Sequence, residues 1–152
     1  MENEKLKEKI AGIIPEASFN DGVQFLEVTV PAGQLHTIAQ QLKTDSETLF
    51  DYLICLTGVD WAENLSVIYH LTSTEHKHSL VLKTFTEGRE NPAVDTVCDI
   101  WRTAEWHERE VFDLLGIRFN NHPNMRRLFL EEDWDGHPLR KDYEDNINMI
   151  SL

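Results

Sequence analysis

The residue types that could carry chemistry are concentrated between Trp101 and Tyr143. Within this stretch His107, Glu110 and Asp113 recur every three residues. On a helix this spacing places the side chains on one face, where they could hold a metal ion. A bundle metal site needs a second helix with a Glu-x-x-His pair, and none accompanies it, so a solvated, salt-bridged helix end is the alternative interpretation. We predict no metal ligands and keep a metal-dependent enzyme using His107, Glu110 and a tail histidine only as an alternative.

The motifs of other common catalytic and nucleotide-binding devices are missing from the sequence. It contains no Gly-x-Ser-x-Gly, no phosphate loop and no Gly-x-Gly-x-x-Gly. Cys55 and Cys98 stand singly, which argues against ligation of an iron–sulfur cluster or zinc and against a disulfide framework. His122 and His137 each precede a proline, a pattern typical of turns. The residues therefore predict neither catalytic nor cofactor-binding groups on this chain.

The elements that must position these residues follow from the hydrophobic pattern. Apolar residues at helical spacing predict one helix that ends before Pro15 and a second from Leu35 to Leu42, and Pro92 predicts the start of a third that continues past Trp106. Gly116 is placed to end that helix in a left-handed conformation. Apolar, β-branched runs predict strands at 23–30, 52–57, 65–71 and 79–85. The order of elements predicts an α+β fold, with a mixed β-sheet packed with helices.

Composition changes after Ile117, where helical and alternating periods give way to polar, proline-containing sequence. We predict an α+β domain at 1–117, followed by an extended, irregular C-terminal tail at 118–152 that does not fold alone. The chain has 14 Lys and Arg against 27 Asp and Glu, a formal charge of -13, which argues against nucleic acid as a partner. No apolar run approaches the roughly 20 residues of a membrane-spanning helix. The N-terminus is too polar for a signal peptide, which predicts a soluble, cytoplasmic protein.

A long pattern covers the end of the predicted domain and most of the tail. It reads Glu108-Arg109-Glu110-x-x-Asp113-Leu114-Leu115-Gly116-Ile117-x-Phe119-x-x-His122-Pro123-x-x-Arg126-Arg127-Leu128, and then Asp133-Trp134-x-Gly136-His137-Pro138-Leu139-Arg140-Lys141-Asp142-Tyr143. This pattern resembles the signature of the C subunit of bacterial NADH:quinone oxidoreductase, a family related to a peripheral-arm subunit of respiratory complex I. The upstream residues are similar to that family in size and order of elements.

The resemblance implies a non-catalytic subunit of a proton-translocating oxidoreductase. FMN, iron–sulfur clusters and quinone would be bound by other subunits, and this chain would carry no cofactor. It would lie at the cytoplasmic face of the plasma membrane as a peripheral subunit, contacting the membrane only through the complex. Its tail would dock on the D subunit, which lines the quinone pocket. The residues expected to bind that partner are Glu108, Arg109, Glu110, Asp113, His122, Arg126, Arg127, Trp134, His137, Leu139, Arg140, Lys141 and Tyr143.

Two questions stay open from the sequence alone. The related subunit of membrane-bound hydrogenases shares the signature and would change the electron donor and acceptor. The positive tail side chains could bind the D subunit, or they could neutralise the acidic domain of their own chain.

Arg109 is expected to form ion pairs that hold its helix to the tail or to the partner. Arg and Trp are favoured at interface centres, and an irregular segment can order on a partner.

Overall fold

A five-stranded mixed sheet lies at the centre of the fold. The structure, a computed structural model, describes residues 3–22 and 24–145. The helices of this part are α1 (Asn3–Ile13), α2 (Leu35–Thr44) and α3 (Ala104–Leu115). The strands are β1 (Ser18–Asp21), β2 (Leu26–Thr29), β3 (Tyr52–Asp60), β4 (Leu65–Thr72), β5 (Ser79–Phe85), β6 (Ala93–Asp95) and β7 (Arg118–Asn120). The order in the main sheet is β1-β2-β5-β4-β3, and β6 pairs with β7 in a separate two-stranded sheet.

The register of the strands sorts their side chains into a buried face and a half-exposed face. β2 and β5 run parallel, while the other neighbours in the main sheet are antiparallel. Along β4, Leu65, Val67, Tyr69 and Leu71 are buried, and they pack in one cluster with apolar residues of all three helices. The predicted α+β fold with a mixed sheet is therefore confirmed.

The helix α3 lies unusually close to β3. A Cβ built on Gly58 would come within 2.5 Å of the Leu115 side chain and 2.9 Å of the Val111 side chain. His107 on the same helix contacts the backbone of Leu56 through Nδ1, at 3.3 Å from its nitrogen and 3.2 Å from its oxygen. These contacts fix the position of α3 against the outer strand of the sheet and so determine where its polar residues lie.

The prediction of a third helix beginning at Pro92 is wrong. Ala93–Asp95 forms β6, which runs parallel to β7, and α3 begins only at Ala104. The carbonyl of Pro92 accepts the Arg118 N–H at 2.9 Å, so the chain leaves the proline extended. Local spacing of apolar residues cannot detect this pairing, because the partner strand lies more than twenty positions away in the sequence.

The other element predictions are largely confirmed. α1 ends before Pro15, and Gly116 ends α3 with a φ of 75°. The predicted strand at 23–30 is found as β2, while Val23 lies outside the described residues. β1 is an additional short strand that the sequence pattern did not reveal. No helix in the two described ranges is long and apolar enough to cross a membrane.

Substitution of Gly58 by alanine should destabilise the protein by about 1–3 kcal/mol, because the added methyl group overpacks the contact between β3 and α3. Urea denaturation of the variant measures this loss. Gly12→Ala is the matched control, since nothing lies within 4 Å of a Cβ at that position. Equal stability of the Gly58→Ala variant and the wild type would show that α3 can move away from the sheet without cost.

Candidate interface formed by the third helix and the tail

The carboxylate of Asp113 ties the tail to the last turn of α3. Its Oδ2 accepts the backbone N–H groups of Leu128, Phe129 and Leu130 at 3.1, 2.6 and 3.0 Å. Its Oδ1 pairs with Arg127 Nη1 at 3.0 Å. Burial alone would raise the pKa of Asp113, but the hydrogen bonds together hold it below its ordinary value. The group is therefore ionised and fully satisfied in the folded chain.

Arg127 extends this attachment further along the tail. Its Nη1 also donates to the Asp113 carbonyl, and its Nη2 donates to the carbonyls of Trp134 and Gly136 at 2.8 and 2.9 Å. One guanidinium thus holds the end of α3 and two later points of the tail in a fixed relation, as its planar fork of donors allows.

Arg109 also holds the helix to the tail, but not through the ion pairs that we predicted. Its Nε and Nη2 donate to the carbonyls of Arg126 and Arg127 at 3.2 and 2.9 Å. Among the described residues it takes part in no ion pair. The side chain of Glu108 turns toward another segment, and Glu110 is exposed. The tail carbonyls have no partners in a helix or strand of their own, so they accept hydrogen bonds from the Arg109 side chain instead.

The residues from His137 to Leu139 close the C-terminus of α3. His137 Nδ1 lies 2.9 Å from the Asp113 carbonyl, and the Leu139 N–H donates to the Leu114 carbonyl at 2.9 Å. These carbonyls belong to the last turn, which has no partners of its own within the helix. A Cβ at Gly116 would come within 2.6 Å of the His137 ring, so the glycine is required for this close approach as well as for its positive φ.

A second attachment point lies at the end of β3. Asp60 pairs with both terminal nitrogens of Arg89, at 2.6 and 2.9 Å, and accepts the Lys141 N–H at 2.9 Å. Arg140 donates to the Arg89 carbonyl and to the carboxylate of Asp142. The hydrogen bond from Arg89 lowers the pKa of Asp60 well below its ordinary value, against the effect of burial. Sequence reasoning missed Asp60 and Arg89, because an isolated acid and base far apart in the chain give no local signal.

Glu108, in the middle of α3, is fully buried. Its Oε1 accepts the Val97 N–H at 2.8 Å and its Oε2 accepts the hydroxyl of Thr96. His122 Nε2 lies 3.7 Å from Oε2. Desolvation raises the pKa of Glu108 to about 7, in spite of the two hydrogen bonds.

One group of possible metal ligands exists among the described residues. Ligand atoms of Cys98, Glu108 and His122 lie within 4.8 Å of one another. His122 Nδ1 accepts the Asn124 N–H at 3.0 Å, so Nε2, which faces the Glu105 carbonyl at 2.9 Å, must carry the ring proton. The histidine therefore has no free lone pair, and both oxygens of Glu108 are already hydrogen-bonded. This arrangement does not favour a metal ion.

The other residues of the metal hypothesis are not brought together. His107 contacts the backbone of β3, and Glu110 is exposed on the far face of α3. Neither residue belongs to the group around Cys98.

The residues predicted to bind a partner divide into two sets. Several contact their own chain and are buried or half-buried: Glu108, Arg109, Asp113, His122, Arg127, His137, Arg140 and Tyr143. The others are exposed: Glu110, Arg126, Trp134, Leu139 and Lys141. Phe129, which the sequence analysis did not single out, is exposed to 66%, beside Leu139 at 60% and Trp134 at 40%. The tail is thus fixed by its backbone and displays large apolar side chains.

Comparison with known protein families identifies the family of this chain. The family described as "Respiratory-chain NADH dehydrogenase, 30 Kd subunit" matches residues 28–147, a range that includes α2, β3 to β7, α3 and most of the tail. The chain belongs to this family. Its resemblance to the C subunit of bacterial NADH:quinone oxidoreductase is thereby confirmed.

Named members of the 30 Kd subunit family are similar over most of this chain. The C subunit of the NADH-quinone oxidoreductase of Geotalea uraniireducens is 41% identical over 91% of this chain and 84% of its own length. The C subunit of the Chloroherpeton thalassium enzyme is 42% identical over 91% of this chain, which spans 58% of that protein. A Phocaeicola vulgatus protein, named as the C/D subunit of the same enzyme, is 47% identical over 82% of this chain, which spans only 24% of it.

A solved structure shows the same fold. A chain in the structure of the membrane-bound sulfane sulfur reductase, an archaeal respiratory membrane complex, superposes with a TM-score of 0.79 at 26% identity. The alignment covers 93% of this chain and 85% of that chain. The 30 Kd subunit fold therefore extends to a complex whose name indicates a different reaction.

Asp113→Asn should release the tail from α3. The amide cannot offer two anionic oxygens to three N–H groups and Arg127, and removal of one partner of a buried ion pair costs about 3–5 kcal/mol. Hydrogen exchange of residues 126–131 and urea denaturation measure the effect, with Glu110→Gln on the exposed face of α3 as the control. Unchanged exchange at 126–131 in Asp113→Asn would contradict the proposed anchor.

In the wild type, the lowered pKa values of Asp113 and Asp60 stabilise the fold at pH values above about 4, and this contribution is lost as the pH falls further.

Proposed function

We propose that this chain is the C subunit of a proton-translocating NADH:quinone oxidoreductase and that its tail docks on the D-type subunit of the complex. The observation that carries the proposal is the tail itself, whose backbone is fixed to its own domain while Phe129, Trp134 and Leu139 face outward. Large aromatic and aliphatic side chains of this kind serve as anchors at interface centres. Because its backbone is hydrogen-bonded to its own domain, docking would have less of the segment to order than a tail that does not fold alone would require.

The fused relative supports the identity of the partner. In the Phocaeicola vulgatus protein, whose name combines C and D, the region similar to this chain is a minor part of a longer polypeptide. The name indicates a C-like and a D-like part in one chain, and such a linkage limits how far apart the two parts can lie. We infer that the two parts are neighbours here as well, and that the outward tail side chains contact the D-type subunit.

The role proposed for this chain is structural support of electron transfer. FMN, iron–sulfur clusters and quinone are assigned to other subunits, and this chain positions the D-type subunit at the quinone site. The chain contacts the cytoplasmic side of the membrane only through the assembled complex. The positive side chains of the tail fall into two groups. Arg127 and Arg140 bind groups of their own chain, whereas Arg126 and Lys141 are exposed.

A second candidate function is the equivalent subunit of a respiratory complex with another electron donor and acceptor, such as a membrane-bound hydrogenase. The likeness to a chain of an archaeal sulfane sulfur reductase complex favours it. Purification of the native complex and assay with NADH and quinone, or with hydrogen, distinguishes the two.

Phe129→Ser and Leu139→Ser should each weaken binding to the D-type subunit by about 2 kcal/mol, equal to roughly 30-fold in Kd. Isothermal titration of the purified chain with the D-type subunit measures this. Tyr52→Ser and Ile54→Ser are matched controls, because these side chains on β3 are about half exposed but lie outside the tail. Equal losses in both pairs would show that exposure alone, and not the tail, governs binding.

Arg126→Glu and Arg127→Glu should behave differently, although the residues are adjacent. Reversal at Arg126 should leave the melting temperature unchanged and weaken docking about tenfold, since the side chain is exposed and makes no hydrogen bond or ion pair with the described residues. Reversal at Arg127 should lower the melting temperature, because it places a carboxylate against Asp113. Thermal denaturation and co-purification of the D-type subunit separate the effects. Wild-type docking by Arg126→Glu would remove Arg126 from the interface.

A further inference from the structure

The buried carboxyl group of Glu108 lies where three parts of the chain meet. It projects from α3, and Val97 and Thr96 just after β6 donate to its two oxygens. His122, two residues beyond β7, approaches it from the tail. A change of charge at this single group therefore acts on α3, on the segment after β6 and on the beginning of the tail together.

No lysine or arginine forms an ion pair with Glu108 among the described residues. The nearest basic side chain is His122, whose Nε2 faces the Glu105 carbonyl at 2.9 Å and lies 3.7 Å from Glu108 Oε2, so it makes no close hydrogen bond to the carboxyl group. The guanidinium of the adjacent Arg109 is directed at tail carbonyls instead. An ionised Glu108 is consequently a buried charge without a counter-ion, which is costly.

The remaining titratable groups around Glu108 do not relieve this cost. Asp99 raises the pKa of Glu108 by its negative charge, and Glu105 lies one turn earlier on α3. Burial raises the pKa of the Cys98 thiol, which stays neutral. From the sheet side, the hydroxyl of Tyr69 is fully buried without a hydrogen-bond partner in the described structure, and its pKa is raised by burial and by the charges of Glu108 and Asp95. Asp99 and Glu105 are acidic and Cys98 and Tyr69 carry no charge, so none of these four groups supplies a positive charge to Glu108.

The hydrogen bonds of Glu108 are compatible with its neutral form. The hydroxyl of Thr96 can donate to a carboxylate or accept from a carboxylic acid, and the Val97 N–H can donate to the carbonyl oxygen of either form. Proton uptake therefore removes the charge without breaking the contacts that join the three segments.

We propose that this junction is a proton-dependent latch, which is closed while Glu108 is protonated and loosens when Glu108 ionises. In the loosened state, β6, β7 and the residues around His122 separate from α3 far enough for water to reach the carboxylate. The attachments through Asp113 and Asp60 are distinct from this junction and remain. The latch does not depend on the identity of the docking partner.

Linkage fixes the direction of the pH dependence. The closed state holds the proton up to a pKa of about 7, whereas a hydrated glutamate releases it near 4.5. The equilibrium constant for local opening should therefore rise by up to tenfold for each pH unit between about 4.5 and 7, and level off above 7. Stability at this junction is thus greatest on the acidic side and is lost as the pH rises.

Hydrogen exchange of the purified chain between pH 5 and 9, corrected for the intrinsic pH dependence of exchange, measures opening in peptides covering 93–98 and 118–124. We expect the wild type to show the rise and plateau, and Glu108→Gln to show a flat, protected profile. Glu110→Gln, which removes the same charge from the exposed face of α3, should follow the wild type. A flat wild-type profile, or a slope that persists in Glu108→Gln, would overturn the latch. A carboxyl ¹³C resonance of Glu108 titrating near 4.5 would overturn it without any variant.

Discussion

The attachment of the tail to Asp113 is the interaction on which the surface of this protein depends. Three consecutive backbone N–H groups and one guanidinium converge on a carboxylate that is fully buried at the end of α3. Charged hydrogen bonds of this kind are about twice as strong as neutral ones. They give the part of the tail after β7 a defined course, although it forms no helix or strand among the described residues. Phe129 is held in this way by its backbone while its side chain stays exposed, and Leu128 and Leu130 beside it are half-buried.

The same attachment explains how an acidic chain uses its few positive charges. Arg127 and Arg109 bind tail carbonyls and Asp113, and Arg140 binds Asp142 and the Arg89 carbonyl. Internal use and exposure are thus divided among neighbouring tail cations: Arg127 and Arg140 bind groups of their own chain, whereas Arg126 and Lys141 stay exposed. The exposed Arg126 is one position away from a half-buried structural arginine. Composition can show that a cluster of cations exists, but only the fold shows which of them remain available.

The local hydrophobic pattern was sufficient to predict those helices and strands whose structure is determined by residues close in sequence. α1, α2 and the strands β3, β4 and β5 follow from hydrophobic period, and the end of α3 follows from Gly116. The prediction failed at β6, because its partner β7 is distant in sequence and α3 intervenes. It failed for the same reason at the pairing of Asp60 with Arg89. The signature from Glu108 to Tyr143 located the candidate interface, yet it could not distinguish side chains that build the interface from those that face a partner.

Two buried carboxyl groups five residues apart on α3 have opposite pKa shifts because their surroundings differ. Both Glu108 and Asp113 are buried, and desolvation acts on each in the same direction. Asp113 faces three N–H groups and a guanidinium, so its charge is stabilised and serves as a permanent anchor. Glu108 accepts only one N–H and one hydroxyl and forms no ion pair with a lysine or arginine among the described residues, so desolvation prevails and raises its pKa. One short helix therefore carries a fixed attachment at its C-terminal end and a titratable one in its middle. The tail begins after the C-terminus of α3, passes Glu108 at His122 and is then bound by Asp113 at residues 128–130.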